Sequence, residues 1–196
     1  MCRLGLAGFD TVYSYGSYEG SLRKLVHLFK YGGVQPLAKP FGEFLARALP
    51  REQRFDVVVP MPLHWRRRWQ RGFNQAELLA SRIAKRWNVP MRNVLRRTRA
   101  TAPQAGLTNA KRRANVSGAF IVKGLVKGAG KTGGKLRGVR VLLVDDVLTT
   151  GASASACARA LKRAGAAHVT LLTLARRDRR AAPNEQGDFA TMGASA

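Results

Sequence analysis

Asp145 and Asp146, followed by Thr149-Thr150-Gly151-Ala152-Ser153, are the residues whose types and spacing point most directly to chemistry. A carboxylate pair can accept hydrogen bonds from the vicinal hydroxyls of a ribose, or hold a metal ion. Small hydroxylated residues around a glycine, at the start of a helix, offer unpaired backbone N–H groups to an anion. Both features suit one ligand, a 5-phosphorylated ribose, with the acids on the diol and the turn on the phosphate. Acid scarcity sharpens the signal. The chain has 35 basic and 11 acidic residues, a formal charge of +24, and between Val57 and Val144 its one carboxylate is Glu77. An isolated Asp-Asp reads equally well as a polar turn with Asp capping the next helix; the full strand–acid–turn–helix pattern argues against that.

The elements that must position these residues are legible in outline. Val141-Leu142-Leu143-Val144 reads as a strand buried on both faces, ending in the two carboxylates. Ala152–Ala164 is an Ala-rich helix with Gly165 as its stop, and His168–Leu174 is the next strand. Upstream, Asp10–Tyr18 suggests a strand or hairpin. Ser21 opens a helix with Leu22, Leu25, Val26 and Phe29 at helical spacing and Gly32-Gly33 as its stop. A second helix is expected over residues 36–48, and a strand over Phe55–Val59, halted by Pro60. Asn74–Trp87 reads as a helix with Asn74 as N-cap and Glu77 completing a capping box. Phe120–Val122 is a short strand. Such alternation predicts an α/β fold with a parallel sheet flanked by helices, whose ligands bind outside the carboxyl ends of the strands.

A second anion site is expected after Phe55–Val59, where Pro60-Met61-Pro62 forces an extended turn into a basic loop, His64–Gly72. Arginine holds phosphate oxygens with a planar fork. The same loop also reads as a solvated basic patch, or, with Trp65, Trp69 and Phe73 among its arginines, as a surface for single-stranded nucleic acid. Gly130-Lys131-Thr132 mimics a phosphate loop, but Leu125 stands where its first glycine belongs and no room is left for the following helix. His27, His64 and His168 are scattered without metal spacing. Cys2 and Cys157 are too few for a disulfide framework or a zinc site, and Cys157 reads as a small buried filler. No apolar run approaches ~18 residues and no secretory signal opens the chain, so a cytoplasmic protein without membrane insertion is expected.

The Val141–Ser153 segment resembles the phosphoribosyl pyrophosphate (PRPP) motif of type I phosphoribosyltransferases. Further residues narrow the resemblance to the ComF family of competence-associated phosphoribosyltransferase-like proteins. These are Tyr18-Glu19-Gly20, Leu28-Phe29-Lys30-Tyr31-Gly32-Gly33, Val59-Pro60-Met61-Pro62, Arg71-Gly72-Phe73-Asn74-Gln75-Ala76, then Gln104, Arg112, Asn115 and Gly118-Ala119-Phe120. The resemblance spans roughly residues 9 to 175. It implies a type I phosphoribosyltransferase-like domain over 36–177, with an N-terminal hairpin or helix segment over 1–35 packing on it; the run after Arg176, basic and then small and polar, reads as a disordered tail over 178–196.

The resemblance also implies roles. Asp145 and Asp146 would be the catalytic carboxylates on the ribose hydroxyls, and Thr149, Thr150, Gly151, Ala152 and Ser153 would bind the 5-phosphate. Pro62, Arg68, Arg71 and Gly72 would face the pyrophosphate, with Asn74 and Gln75 orienting the loop. The aperiodic stretch Arg96–Gly118, with Gln104, Arg112 and Asn115, would be a mobile hood over PRPP; read from its residues alone it is a surface loop or hairpin. Mg²⁺ would arrive with PRPP, without direct protein ligands. The implied setting is natural competence and DNA uptake, possible partners being single-stranded DNA and other competence proteins, with phosphoribosyl transfer to a nitrogenous base as the possible reaction. A catalytically silent module of the same fold that binds single-stranded DNA and recruits partners is the alternative. Many family members begin with a four-cysteine zinc ribbon. Cys2 has no companion cysteines here, so no zinc is expected; either this member lacks the ribbon or Cys2 is its remnant from a start lying upstream.

Overall fold

The structure, a computed structural model, describes residues 8–63, 65–98, 118–123 and 136–177. Its centre is strand β5 (Arg140–Leu148), in which Val141 to Val144 are fully shielded from solvent. β5 lies between β2 (Val57–Pro60) and β6 (His168–Arg176), and β6 pairs in turn with β1 (Thr11–Ser17). The order is β1-β6-β5-β2, every pairing parallel. The predicted parallel α/β sheet is therefore present. β1 is a single strand of this sheet, not a hairpin arm.

Period-2 alternation divides the core. On one face Val57, Val59, Val141, Leu143, Val169 and Leu171 pack against helix α5 (Ala152–Arg163), whose alanines let it lie close. On the other, Val58, Leu142, Val144, Leu172 and Leu174 meet α1 (Gly20–Tyr31), α2 (Ala38–Ala48) and α4 (Gln75–Trp87). Burying each such side chain stabilises the fold by about 1.5–3 kcal/mol before the entropy of ordering is counted. Gly42 brings α2 against α4: a Cβ there would stand 2.7 Å from the Arg82 Cβ. Helix α1 ends as predicted, the Gly32 N–H closing on the Leu28 carbonyl at 2.8 Å. A single 3₁₀ turn, Gln35–Leu37, precedes α2.

Two scarce acids tie the amino-terminal edge of the sheet. Asp56 accepts from the Arg140 backbone N–H and, with both oxygens, from its guanidinium at 2.8–3.1 Å, aligning the starts of β2 and β5. Asp10 does the same for β1 and β6, accepting from the Val169 N–H at 2.7 Å and from Lys162 at 2.8 Å. His168 joins this cluster through Thr11, their side chains 3.2 Å apart.

Two expectations are corrected. The segment after Pro62 is not a loop: Trp65–Arg71 forms a short helix, α3, ended by Gly72 in the left-handed region (φ +74°). β5 does not end before the carboxylates but runs on through Leu148, because β6 continues to pair with it as far as Arg176. Phe120–Val122 is a strand, β4, paired antiparallel with β3 (Leu95–Arg97) in a separate two-stranded sheet. Among the described residues no helix is long and apolar enough to cross a membrane.

Candidate functional site

With β5 extended through them, Asp145 and Asp146 leave the strand towards different faces. Asp146 turns towards α1 and meets the Lys30 ammonium at 2.8 Å, both side chains largely covered (16% and 12% exposed). Asp145 lies on the α5 side, where its charge adds to the burial that pushes the Cys157 thiol well above its ordinary range. Its Oδ1 accepts from the Asp146 N–H at 2.9 Å. Burial, reinforced by the neighbouring Asp146 charge and only partly offset by Lys30, pushes the Asp145 carboxyl up to about 7. Burial works against the Lys30 charge too, yet Asp146 and, more weakly, Asp145 hold it above the ordinary lysine value. The site thus pairs an Asp146 held by the Lys30 ammonium with an Asp145 whose carboxyl burial raises above the ordinary carboxylate range.

The predicted phosphate turn follows directly. Gly151 adopts φ +72°, a conformation that costs an L side chain but not glycine. It caps α5 and accepts the first helical bond from the Ser155 N–H at 2.8 Å. Thr149 is exposed and Thr150 half-buried, its hydroxyl oxygen accepting from the Ala152 N–H at 3.5 Å in the first turn of α5.

The turn after β2 is fastened to the same place. The Met61 N–H donates to the Val144 carbonyl at 2.9 Å, one residue before Asp145. Asn74 clamps this turn: its Nδ2 donates to the Met61 carbonyl at 3.1 Å, while its Oδ1 caps α4 by accepting from the Ala76 N–H. The N-cap is as expected, but Glu77 does not complete the capping box. Its carboxylate takes the Arg68 guanidinium at 3.0 Å, a stronger charge-assisted bond than a backbone amide would supply.

The two arginines assigned to pyrophosphate therefore diverge. Arg68 is engaged with Glu77 on the exposed side of α3. Arg71 lies over the Tyr31 ring at 4.8 Å and donates to Gln75 Oε1 at 3.1 Å. Gln75 is buried, and its amide nitrogen has no hydrogen-bond partner among the described residues. Arg71 also shares with Lys30 a cavity of about 680 Å³, lined by Lys30, Tyr31, Gly32, Gly33, Gln70 and Arg71. Pro62 is half-buried in the fastened turn, and beyond Gly72 a Cβ would meet open space. Trp69 does not pack beneath the helix; it is 88% exposed. Gln104, Arg112 and Asn115 fall outside the described residues, as do the expected tail and most of the expected hood.

Lys30 is the residue that sequence reasoning missed as part of the site. Within α1 it reads as an ordinary basic position at the border of an amphipathic helix. The available signal was indirect: a buried acid pair in a chain this basic needs a cation, and Lys30 sits in one of the segments carrying the ComF resemblance.

Residues 71–192 match the phosphoribosyl transferase domain family. Competence protein F of Haemophilus influenzae is 29% identical over 175 residues, an alignment covering 86% of this chain and 73% of that protein. DNA utilization protein YhgH of Escherichia coli K12 is 32% identical over 178 residues, again covering 86% and 73%. Among solved structures, the glutamine PRPP amidotransferase from B. subtilis complexed with ADP and GMP is similar at 22% identity and a TM-score of 0.46, over 70% of this chain and 26% of that one. With the family match extending over more than half of the chain and these relatives aligned along most of it, the chain belongs to the phosphoribosyl transferase domain family as a protein of the ComF type.

Proposed function

We propose that the protein binds PRPP at the carboxyl end of β5 and acts in competence-linked DNA uptake, a reading supported by relatives named for competence and for DNA utilization. The observation that carries this is the partly buried pair Asp145–Asp146, three residues before a turn that opens the N-terminus of α5. Asp146 would accept from one ribose hydroxyl, and Asp145, its carboxyl raised by burial, would take the second hydroxyl. The Thr149–Ser153 turn would bind the 5-phosphate through backbone N–H groups and hydroxyls. Arg71, with Gly72 and the Pro62 turn, would face the pyrophosphate, and Arg68 would do so only on release from Glu77.

Among the described residues no group of three or more His, Cys, Asp or Glu side chains could hold a metal. Two adjacent carboxylates still suit a hard cation that arrives on ligand oxygens. Mg²⁺ would supply charge neutralisation on the pyrophosphate. The chain's own part is positioning, through the Asn74 clamp on Met61, and electrostatics, through Arg71 and Lys30.

Calorimetric titration of PRPP with Mg²⁺ into the wild type and into Asp145→Asn/Asp146→Asn tests this. Micromolar binding that the double variant loses is expected; equal binding by both proteins would place PRPP elsewhere and sink the reading. The second reading, single-stranded DNA binding by a catalytically silent module, is favoured by the exposed Trp69 on α3 between Arg68 and Arg71. The double variant would leave that activity in place.

A further inference from the structure

A carboxylate and an ammonium that are both largely covered each need a partner, because neither can recover from water what it loses on burial. Asp146 and Lys30 satisfy each other at 2.8 Å. A ribose hydroxyl entering the site satisfies Asp146 but leaves the ammonium without an anion. Lys30 stands on the last turn of α1 with a flexible four-carbon stem, and the same side chain lines the cavity between α1 and α3. That cavity has a second cation, Arg71, held by a neutral amide, and no carboxylate among the described residues of its wall. Gly33 presents bare backbone there, with nothing within 4 Å of where a Cβ would stand. A volume of about 680 Å³ has room for a diphosphate.

Resting on the PRPP reading above, we propose that Lys30 exchanges partners when PRPP binds. A ribose hydroxyl takes its place on Asp146, and the ammonium passes into the α1–α3 cavity to hold the pyrophosphate beside Arg71. Lys30 is thus both the counter-ion of Asp146 in the empty site and a determinant of selectivity for a ribose bearing an anion at C1. A ribose 5-phosphate without pyrophosphate must displace Lys30 from Asp146 and offers it nothing in return.

The test is calorimetric titration of ribose 5-phosphate and of PRPP, each with Mg²⁺, into wild type, Lys30→Met and Lys30→Arg, with thermal melting to establish that each variant is folded. Lys30→Met should weaken PRPP by about tenfold or more, the loss of a charge-assisted hydrogen bond. It should tighten ribose 5-phosphate by about threefold, since an ion pair no longer has to be broken. Lys30→Arg should bind both ligands much as the wild type does. A folded Lys30→Met that loses both ligands alike, or neither, overturns the exchange while leaving the PRPP reading intact. A wild type that binds neither ligand overturns both.

Discussion

The Lys30–Asp146 pair makes a quantitative prediction about stability that does not depend on any ligand. Replacing Asp146 by Asn keeps the shape and a carbonyl acceptor but removes the charge, leaving the Lys30 ammonium largely covered and uncompensated. Breaking a fully buried pair costs about 3–5 kcal/mol, and an exposed one about 0–1 kcal/mol. With 16% and 12% exposure the pair lies between these limits, and the lysine stem can carry its head part of the way to water. A cost of about 2 kcal/mol is expected for Asp146→Asn, equivalent to a melting temperature lower by about 4–8 °C in a chain of this length. In a Lys30→Met background the same substitution should cost almost nothing, because no orphaned charge remains and repulsion with Asp145 is relieved. Urea melts of the four proteins of this double-mutant cycle at pH 7 should therefore give a coupling of about 2 kcal/mol. The pH is chosen from the sign of the shift: the folded-state pKa of Lys30 is raised, so its contribution is fully present below the ordinary lysine value and is lost only as pH rises through the folded one. Costs that add to within about 0.5 kcal/mol would refute the reasoning and reduce the contact to a loosely held surface pair.

Asp145 should make itself felt through pH. Its folded-state pKa, about 7, lies above the unfolded 3.8, so the folded protein binds more protons between these values and stability falls as pH rises across that window. Asp145→Asn should melt higher than the wild type at pH 8, with the difference vanishing below pH 4; a pH-independent difference would contradict the assigned protonation. Trp69→Ala should change stability by no more than about 0.5 kcal/mol, since the ring is exposed. If α3 stacks on bases, the same substitution should weaken single-stranded DNA by about fivefold or more in a salt-dependent binding assay. Unchanged affinity would leave the basic charge of the chain without an aromatic platform at this position.

Much of the fold was open to inspection in the chain because its signals are local. The branched apolar run Val141–Val144, the alanines after Gly151, the Asn74 cap and the Gly32 stop each act through residues within a turn or so of themselves, and each forms as expected. The errors share the opposite property. β5 runs past its carboxylates because β6 supplies partners for it, a fact residing in the register Asp145↔Thr173 and Val147↔Ala175. Glu77 leaves its capping role for Arg68, nine residues away. Residues 65–71 form a helix, α3, although no apolar stripe announced it.

By itself, the order of residues determined what the site is made of: an acid pair, a glycine-opened helix and a proline turn with arginines after it. Those features lie in short segments whose backbone preferences and charges are intrinsic. Only the tertiary structure decided how the pieces face one another. Strand alternation sends Asp146 to α1 and Asp145 to α5, Arg71 and not Arg68 is turned towards Lys30, and the Lys30 ammonium comes within 2.8 Å of a carboxylate 116 positions away along the chain. No local propensity encodes that last contact. It exists because both faces of β5 must be covered, and the helix that covers one of them carries that lysine in its last turn.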